Sequence, residues 1–430
     1  RLFSIARVLE QKELLADVTA PTPPDLSQRL ASELGIAPWQ AANAVQLLDE
    51  GNTVPFIARY RKERTGELDE EVLWRLSERL AALRALEERR QEVRRLLVEH
   101  GKLTPELDEA LAAASTLQRI EDLYRPYRPK RRTRGQIARE KGLAPLGEAI
   151  LTLTWPAGLC AEASEEELAA PFVDPAKGVE CAEDAIAGAL DVVAEDVSDD
   201  PGARELTREL LRRKGKLVSE QVKDADPEIA REYATYASFS EAVARIRPHQ
   251  VLAINRGERQ GALRVRVEVD AEVPVAALIE LFLKRQGLSP SATRRTRPGA
   301  PGSPGRLPGK AKADPVARVL IPLLERAVED GYRRLLGPAV ERDIRAALTE
   351  KAEEHAIAVF ARNLRQLLLQ PPAPGAAGVI GIDPGYRTGC KVAVVDPTGA
   401  VLDTGTIYPH PPANRWDEAL RSLEQLVEGY

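Results

Sequence analysis

The densest chemistry in this 430-residue chain lies between Tyr124 and Lys141, where eight lysines or arginines meet a single acid, Glu140. Arginine presents a planar fork of donors that matches a phosphate in bidentate fashion, and clustered cations release counterions when they neutralise a nucleic-acid backbone. Tyr124 and Tyr127 offer rings on which unpaired bases could stack. Pro126 and Pro129 restrict the backbone and expose the arginines. Tyr124, Arg125, Tyr127, Arg128, Lys130, Arg131, Arg132 and Arg134 are therefore candidate nucleic-acid contacts. The alternative is a solvated basic loop whose arginines tie helices together through ion pairs. A smaller cluster, Arg59-Tyr60-Arg61-Lys62-Glu63-Arg64, repeats the pattern and adds Arg59, Arg61 and Lys62 as candidates; it reads equally well as a charged helix end.

A different chemistry is suggested by Ile382-Asp383-Pro384-Gly385-Tyr386-Arg387-Thr388-Gly389. An aspartate ending a first buried strand is where RNase H-like nucleases place a metal-binding carboxylate, because two-metal phosphodiester cleavage needs several acids converging on Mg²⁺ or Mn²⁺. The same opening serves phosphate binding in actin-like ATPases. Gly385 and Gly389 suit a close backbone turn. One carboxylate is not a catalytic site, so Asp383 is a weak catalytic candidate, and Asp396 and Asp403 read as turn and strand-end residues. The cysteines, Cys160, Cys181 and Cys390, form no CxxC pair, and the histidines show no HExxH spacing. No metal site, cofactor or disulfide framework is expected.

The elements that must position these residues are mostly helical. Ala, Leu, Glu and Arg dominate, with 43% hydrophobic, 30% charged and 4% aromatic residues, a balance that favours helices. Leu26–Leu34 and Pro38–Leu48, joined by Gly35-Ile36-Ala37, form a helix-turn-helix-like pair or an ordinary helical hairpin. From Leu68 to His100, apolar residues at 72, 76, 80, 83, 86, 93 and 97 predict one long amphipathic helix, stopped by Gly101. Thr104-Pro105-Glu106 starts another. A helix around Glu183 to Val193 meets the break Ser198-Asp199-Asp200-Pro201-Gly202, beyond which another runs to Lys214. Leu263, Val265, Val267 and Val269 alternate as in a half-exposed strand, while Val251 to Gly257 fits helix or strand. Residues 287–313 read as a Gly/Pro/Arg-rich linker. Helices from Pro315 to Leu336 and from Pro338 to Leu369 follow. The final stretch changes character, to strands at 378–382, 391–395 and 401–407 and a helix from Ala413 to Gly429, the order in which an RNase H-like α/β domain begins.

A net charge of −5 excludes a uniformly basic nucleic-acid coat, so phosphate contacts must come from local patches. No apolar run approaches the ~20 residues that span a bilayer, and no signal-peptide core opens the chain. No membrane partner and a cytoplasmic location are expected. The chain has no methionine, even at position 1, which reads as truncation at both ends.

Several long motifs now carry a resemblance. Gly51-Asn52-Thr53-Val54-Pro55-Phe56-Ile57-Ala58-Arg59-Tyr60-Arg61-Lys62-Glu63, the segment from Glu121-Asp122-Leu123-Tyr124 through Lys130-Arg131-Arg132-Thr133-Arg134, Leu252-Ala253-Ile254-Asn255-Arg256-Gly257-Glu258 and Ile380-Gly381-Ile382-Asp383-Pro384-Gly385 resemble the Tex family, in the family's order. The resemblance covers about residues 26–286 and 314–430. It implies an elongated protein with a helical N-terminal region bearing helix-turn-helix elements, a YqgF domain of the RNase H-like class, helix-hairpin-helix units and a C-terminal OB-fold that binds RNA. Tex proteins are similar to a eukaryotic transcription elongation factor, and their YqgF domain is generally regarded as lacking a complete nuclease site. This chain departs from the pattern in its first 25 residues, in the linker around 290–312, and in ending after the first YqgF helix.

The expected fold is therefore mainly α and multi-domain, with an incomplete α/β RNase H-like domain at the end. The expected divisions are 1–25 unmatched, 26–286 the helical region, 287–313 linker, 314–374 connecting helices and 375–430 the start of the YqgF domain. The expected function is a non-enzymatic scaffold that binds RNA or single-stranded nucleic acid in transcription. The alternatives are a metal-dependent nuclease or resolvase in the full-length parent and a protein-interaction scaffold on the transcription or translation machinery.

Overall fold

The computed structural model describes residues 26–128, 132–155, 164–288, 316–370, 378–385 and 388–430. The first 25 residues, nearly all of the Gly/Pro/Arg-rich linker, Lys130 and Arg131 lie outside the described residues. The chain divides into two compact units, residues 1–246 with 253–348, and residues 247–252 with 349–430.

The first unit is built on helices. Leu26–Leu34 and Pro38–Asp49 form the anticipated pair. The long amphipathic helix runs from Glu70 to Glu99, capped by Asp69, whose carboxylate accepts from Val72 N at 2.8 Å. Leu73, Leu76, Leu80 and Leu83 from its first half pack with Leu30, Leu47 and Ile57 in one core. Leu86, Val93 and Leu97 from its second half pack with Leu111, Ile120 and Leu123 in another. At 1.5 Å per residue such a helix is about 45 Å long, and it serves two cores in succession. The periodicity placed Val72 on the apolar face; Leu73 is the fully buried residue there, and Val72 only packs against it from the edge.

The largest core surrounds helix Ala182–Asp199, whose small residues let Ala138, Leu143, Leu146 and Ile150 approach from one side and Leu323, Leu324, Ala327 and Val328 from the other. The break falls at Asp200, which caps helix Pro201–Lys214 by accepting from Ala203 N at 2.7 Å. Three antiparallel strands follow, β1 Lys216–Gln221, β2 Ser238–Ala242 and β3 Leu263–Glu268, in the order β2-β1-β3. Only β3 was legible from alternation, and it buries Leu263, Val265 and Val267 as that pattern requires. In β1 the consecutive residues Leu217, Val218 and Ser219 are all buried, so no alternation shows. Residues 251–257, open to either reading, are helical within Pro248–Arg259.

The helix expected from Pro315 to Leu336 is α-helical only over Ile321–Gly331; π-helical turns, Val316–Leu320 and Tyr332–Leu336, flank it. Helix Gly337–Leu368 then crosses from one unit's residues into the other's.

The second unit holds β4 Val379–Asp383, β5 Cys390–Val395 and β6 Val401–Ile407, an antiparallel meander, and helix Trp416–Gly429. Asp396 makes the β5–β6 turn by accepting from Thr398 N, Thr398 Oγ1 and Ala400 N; the Thr398 hydroxyl contributes most to holding its carboxyl below the usual carboxylate range. The chain is mainly α, as the composition requires, with a small antiparallel sheet in each unit; β4, expected as a buried strand, is half-buried to exposed, with Ile382 48% exposed. Among the described residues, no helix is long and apolar enough to cross a membrane.

Candidate nucleic-acid interface

The basic loop docks on an acidic face of helix Ala182–Asp199. Asp191, Glu195 and Asp199 recur every four residues and so share one side of that helix. Arg125, in the 3₁₀ turn Arg125–Tyr127, donates from Nε to Asp199 Oδ1 at 3.0 Å. Thr133 caps helix Arg134–Glu140 by accepting from Gln136 N and donates to Glu195 Oε1 at 3.1 Å. Arg139 donates to Glu195 Oε2 at 2.6 Å and reaches Asp196 as well. Arg334, from the second π turn, donates to Asp191 Oδ1 at 2.6 Å; hydrogen bonding to Asp330, above all, raises its pKa further. Gly135 sits where a side chain has no room, since a Cβ would lie 2.3 Å from Glu195 Oε2 and 3.1 Å from the Asp191 carbonyl oxygen.

These contacts leave a cleft of about 410 Å³ lined by five arginines, 125, 128, 134, 334 and 342, and three acids, 191, 195 and 199. Each acid already has a basic or hydroxyl partner. Arg128, Arg134 and Arg342 are exposed, and none has an ion-pair partner among the described residues. Three guanidinium groups from a loop, a short helix and a distant long helix thus line one space without an ion-pair partner of their own among the described residues. Such groups can take a phosphate in bidentate fashion. Arg334 and Arg342 escaped the sequence reading because they lie some 200 positions from the basic loop, in helices whose alternating charges look like ordinary solvated faces.

The other candidates are placed as follows. Tyr124 is 6% exposed, packed in the core with Ile120 and Leu123, with the Arg89 guanidinium 5.9 Å from its ring centroid. Its face is not available for a base, which corrects the stacking role expected of it. Tyr127 is 37% exposed and keeps an open ring. Arg132 makes an exposed ion pair with Glu140 at 3.5 Å, worth little in solvent. Lys130 and Arg131 lie outside the described residues. Arg59, Arg61 and Lys62 do not line this cleft; they sit at the end of helix Val54–Tyr60 and on the turn Lys62–Thr65.

The frame behind the cleft is charged and buried. Arg204 Nε donates to Asp122 Oδ1 at 2.8 Å and its Nη2 to Asp343 Oδ2 at 3.0 Å; Arg208 Nη2 donates to the same two aspartates at 2.9 and 3.3 Å. Asp122 lies just ahead of Arg125, and Asp343 adjoins Arg342. This four-residue network therefore ties together two of the segments that supply the cleft.

Asp383 ends β4 exposed, paired in register with Lys391. Gly389 has a φ of +81°, as a close turn there requires. Among the described residues no three acidic, histidine or cysteine side chains converge as a metal site.

Comparison with known proteins matches three stretches of the chain. A family profile described as Tex-like protein N-terminal domain matches residues 24–98, Tex central region-like matches 161–295, and Tex protein YqgF-like domain matches 377–430. Protein tex of Bordetella pertussis is 41% identical over 407 residues, 93% of this chain and 47% of that protein. Transcriptional accessory protein Tex of Neisseria gonorrhoeae is 33% identical over 407 residues, 94% of this chain and 48% of that protein. The human S1 RNA-binding domain-containing protein 1 is 30% identical over 395 residues, 90% of this chain and 36% of that protein. The chain spans about half the length of the bacterial relatives it matches. With its N-terminal, central and YqgF-like regions all matched in order, the chain belongs to the Tex family.

Proposed function

We propose that this chain is the nucleic-acid-binding scaffold portion of a cytoplasmic transcription accessory protein, and that the arginine cleft grips the sugar–phosphate backbone of a single strand, RNA in the first instance. The observation that carries the reading is the convergence of Arg128, Arg134 and Arg342, without ion-pair partners among the described residues, beside Arg125 and Arg334, which are paired with acids. The names of two relatives, a transcriptional accessory protein and an S1 RNA-binding domain-containing protein, agree with this direction. The working divisions are a helical region at 26–286, connecting helices at 314–374 and the start of an RNase H-like domain at 375–430.

The test is the affinity of the chain for a fluorescent single-stranded RNA before and after the triple change Arg128→Ala, Arg134→Ala, Arg342→Ala. A large loss of affinity is expected, and unchanged affinity removes the cleft from the function. The nuclease alternative rests on Asp383 and the matched YqgF-like domain; it requires Mg²⁺-dependent cleavage by the full-length protein that Asp383→Asn abolishes. A pull-down of polymerase or ribosome that survives nuclease treatment would favour the protein-docking alternative.

A further inference from the structure

The N-terminal helices carry a second surface that the cleft does not use. Trp39 is 53% exposed and Tyr60 56% exposed, and both lie outside the cores. Both are held in place. Gln40 donates from Nε2 to the carbonyl oxygens of Thr65 and Gly66 at 3.1 and 3.0 Å, which locks the start of helix Pro38–Asp49 against the turn Lys62–Thr65. The Trp39 ring lies against Gly66 so closely that a Cβ there would stand 2.4 Å from its Cη2. Tyr60 leads into the same turn from the other end, its ring 5.3 Å from that of Phe56, over which the Arg61 guanidinium sits at 5.2 Å. Two braced, half-open rings therefore flank one helical turn.

The stretch from Arg59 to Arg64 is net positive, while Glu67 and Asp69 follow Gly66. Arg59 and Lys62 are exposed and have no ion-pair partner among the described residues; Arg64 pairs with Glu50 at 3.5 Å, and Glu63 is the one acid in the stretch from Arg59 to Arg64. Exposed aromatic faces set among free cations match unpaired bases joined by phosphates, because every base has a π face and every linkage a charge. An apolar protein partner would leave Arg59 and Lys62 uncompensated.

We propose that Trp39 and Tyr60 form a base-stacking subsite for single-stranded nucleic acid, with Arg59 and Lys62 on its phosphates. The proposal rests on the nucleic-acid reading above but assigns a different chemistry, recognition of bases rather than of backbone.

The experiment compares two probes on the 430-residue chain, an oligoadenylate of about 12 nucleotides and an abasic ribose–phosphate oligomer of equal length. Trp39→Ala and Tyr60→Ala should each weaken oligoadenylate binding about 5- to 150-fold, the range expected for one stacked base, and leave the abasic oligomer unaffected. The arginine-cleft triple variant should weaken both. Trp39→Phe, which keeps a stacking face, should recover most of the affinity, and circular dichroism should match the parent for every variant. Equal affinity of parent and Trp39→Ala for oligoadenylate overturns the stacking subsite and leaves the cleft standing. Loss on both probes alike also overturns it. Failure of the parent to bind either probe overturns both readings.

Discussion

Arg204 and Asp122 form an ion pair of 2.8 Å with side chains only 2% and 3% exposed, linking residues 82 positions apart. Charges this far from water are costly to separate, because the partner left behind has no solvent to turn to. Asp122→Leu would strand Arg204 and Arg208, whose Nη1 and Nε already lack partners, against the partly exposed Asp343. Chemical denaturation should show a loss of about 3–5 kcal/mol. A loss below about 1 kcal/mol would mean the network is solvated in solution.

Backbone recognition predicts a particular salt response. Each phosphate contact on a single strand contributes about 0.7 to the slope of log affinity against log salt. Removing Arg128, Arg134 and Arg342 together should flatten that slope by about 2. A triple variant that loses affinity while keeping its slope would point to damaged folding instead.

Acid should loosen the attachment of the first N-terminal helix through Glu33. Hydrogen bonding from Arg79 above all, then from Arg29, lowers its pKa from 4.5 to about 2 against the opposing effect of burial. A depressed carboxylate pKa contributes stability that is complete above the unfolded value and disappears as pH falls through the folded one. The attachment of helix Leu26–Leu34 to helix Glu70–Glu99 should therefore weaken between pH 4.5 and about 2 in the parent. In Glu33→Gln that pH dependence should be reduced, as read by amide hydrogen exchange in residues 26–34.

Gly135→Ala should cost about 1–3 kcal/mol, the range for overpacking, since its Cβ would meet the Glu195 carboxylate. Because Glu195 holds both Thr133 and Arg139, RNA affinity should fall as well. Thermal denaturation and anisotropy on the same preparation would separate the two effects, and an unchanged melting temperature would refute the close contact.

What could be read in advance was whatever repeats along the chain. The heptad-like leucines announced helix Glu70–Glu99, Thr104 announced its neighbour by accepting from Leu107 N at 3.3 Å, and the alternation of Leu263, Val265 and Val267 announced β3. Strand β1 stayed hidden because Leu217, Val218 and Ser219 are buried on both faces; Ser219 is tolerated there by donating to the Tyr236 carbonyl at 2.7 Å. The π turn carrying Arg334 has no signature in residue types. For the candidate site, density of charge pointed to the loop that lines the cleft but could not say which arginines were already spoken for. Arg125 and Arg139 are held by an acidic helix face, Tyr124 is held by a core, and Arg342 joins the cleft only through the fold.

The helix that serves two cores also sets a phase. Between Leu83 and Leu86 the chain passes from one core to the next without leaving the helix, so each core is fixed at a particular azimuth about a common axis. One inserted or deleted residue there would rotate one core against the other by about 100° and shift it about 1.5 Å, and a change of seven residues would nearly restore the angle. Side-chain changes between these leucines that keep the helix leave this phase intact, whatever they do to the Arg84–Asp49 pair; changes of length do not, and the spacing is a form of information that no single side chain carries.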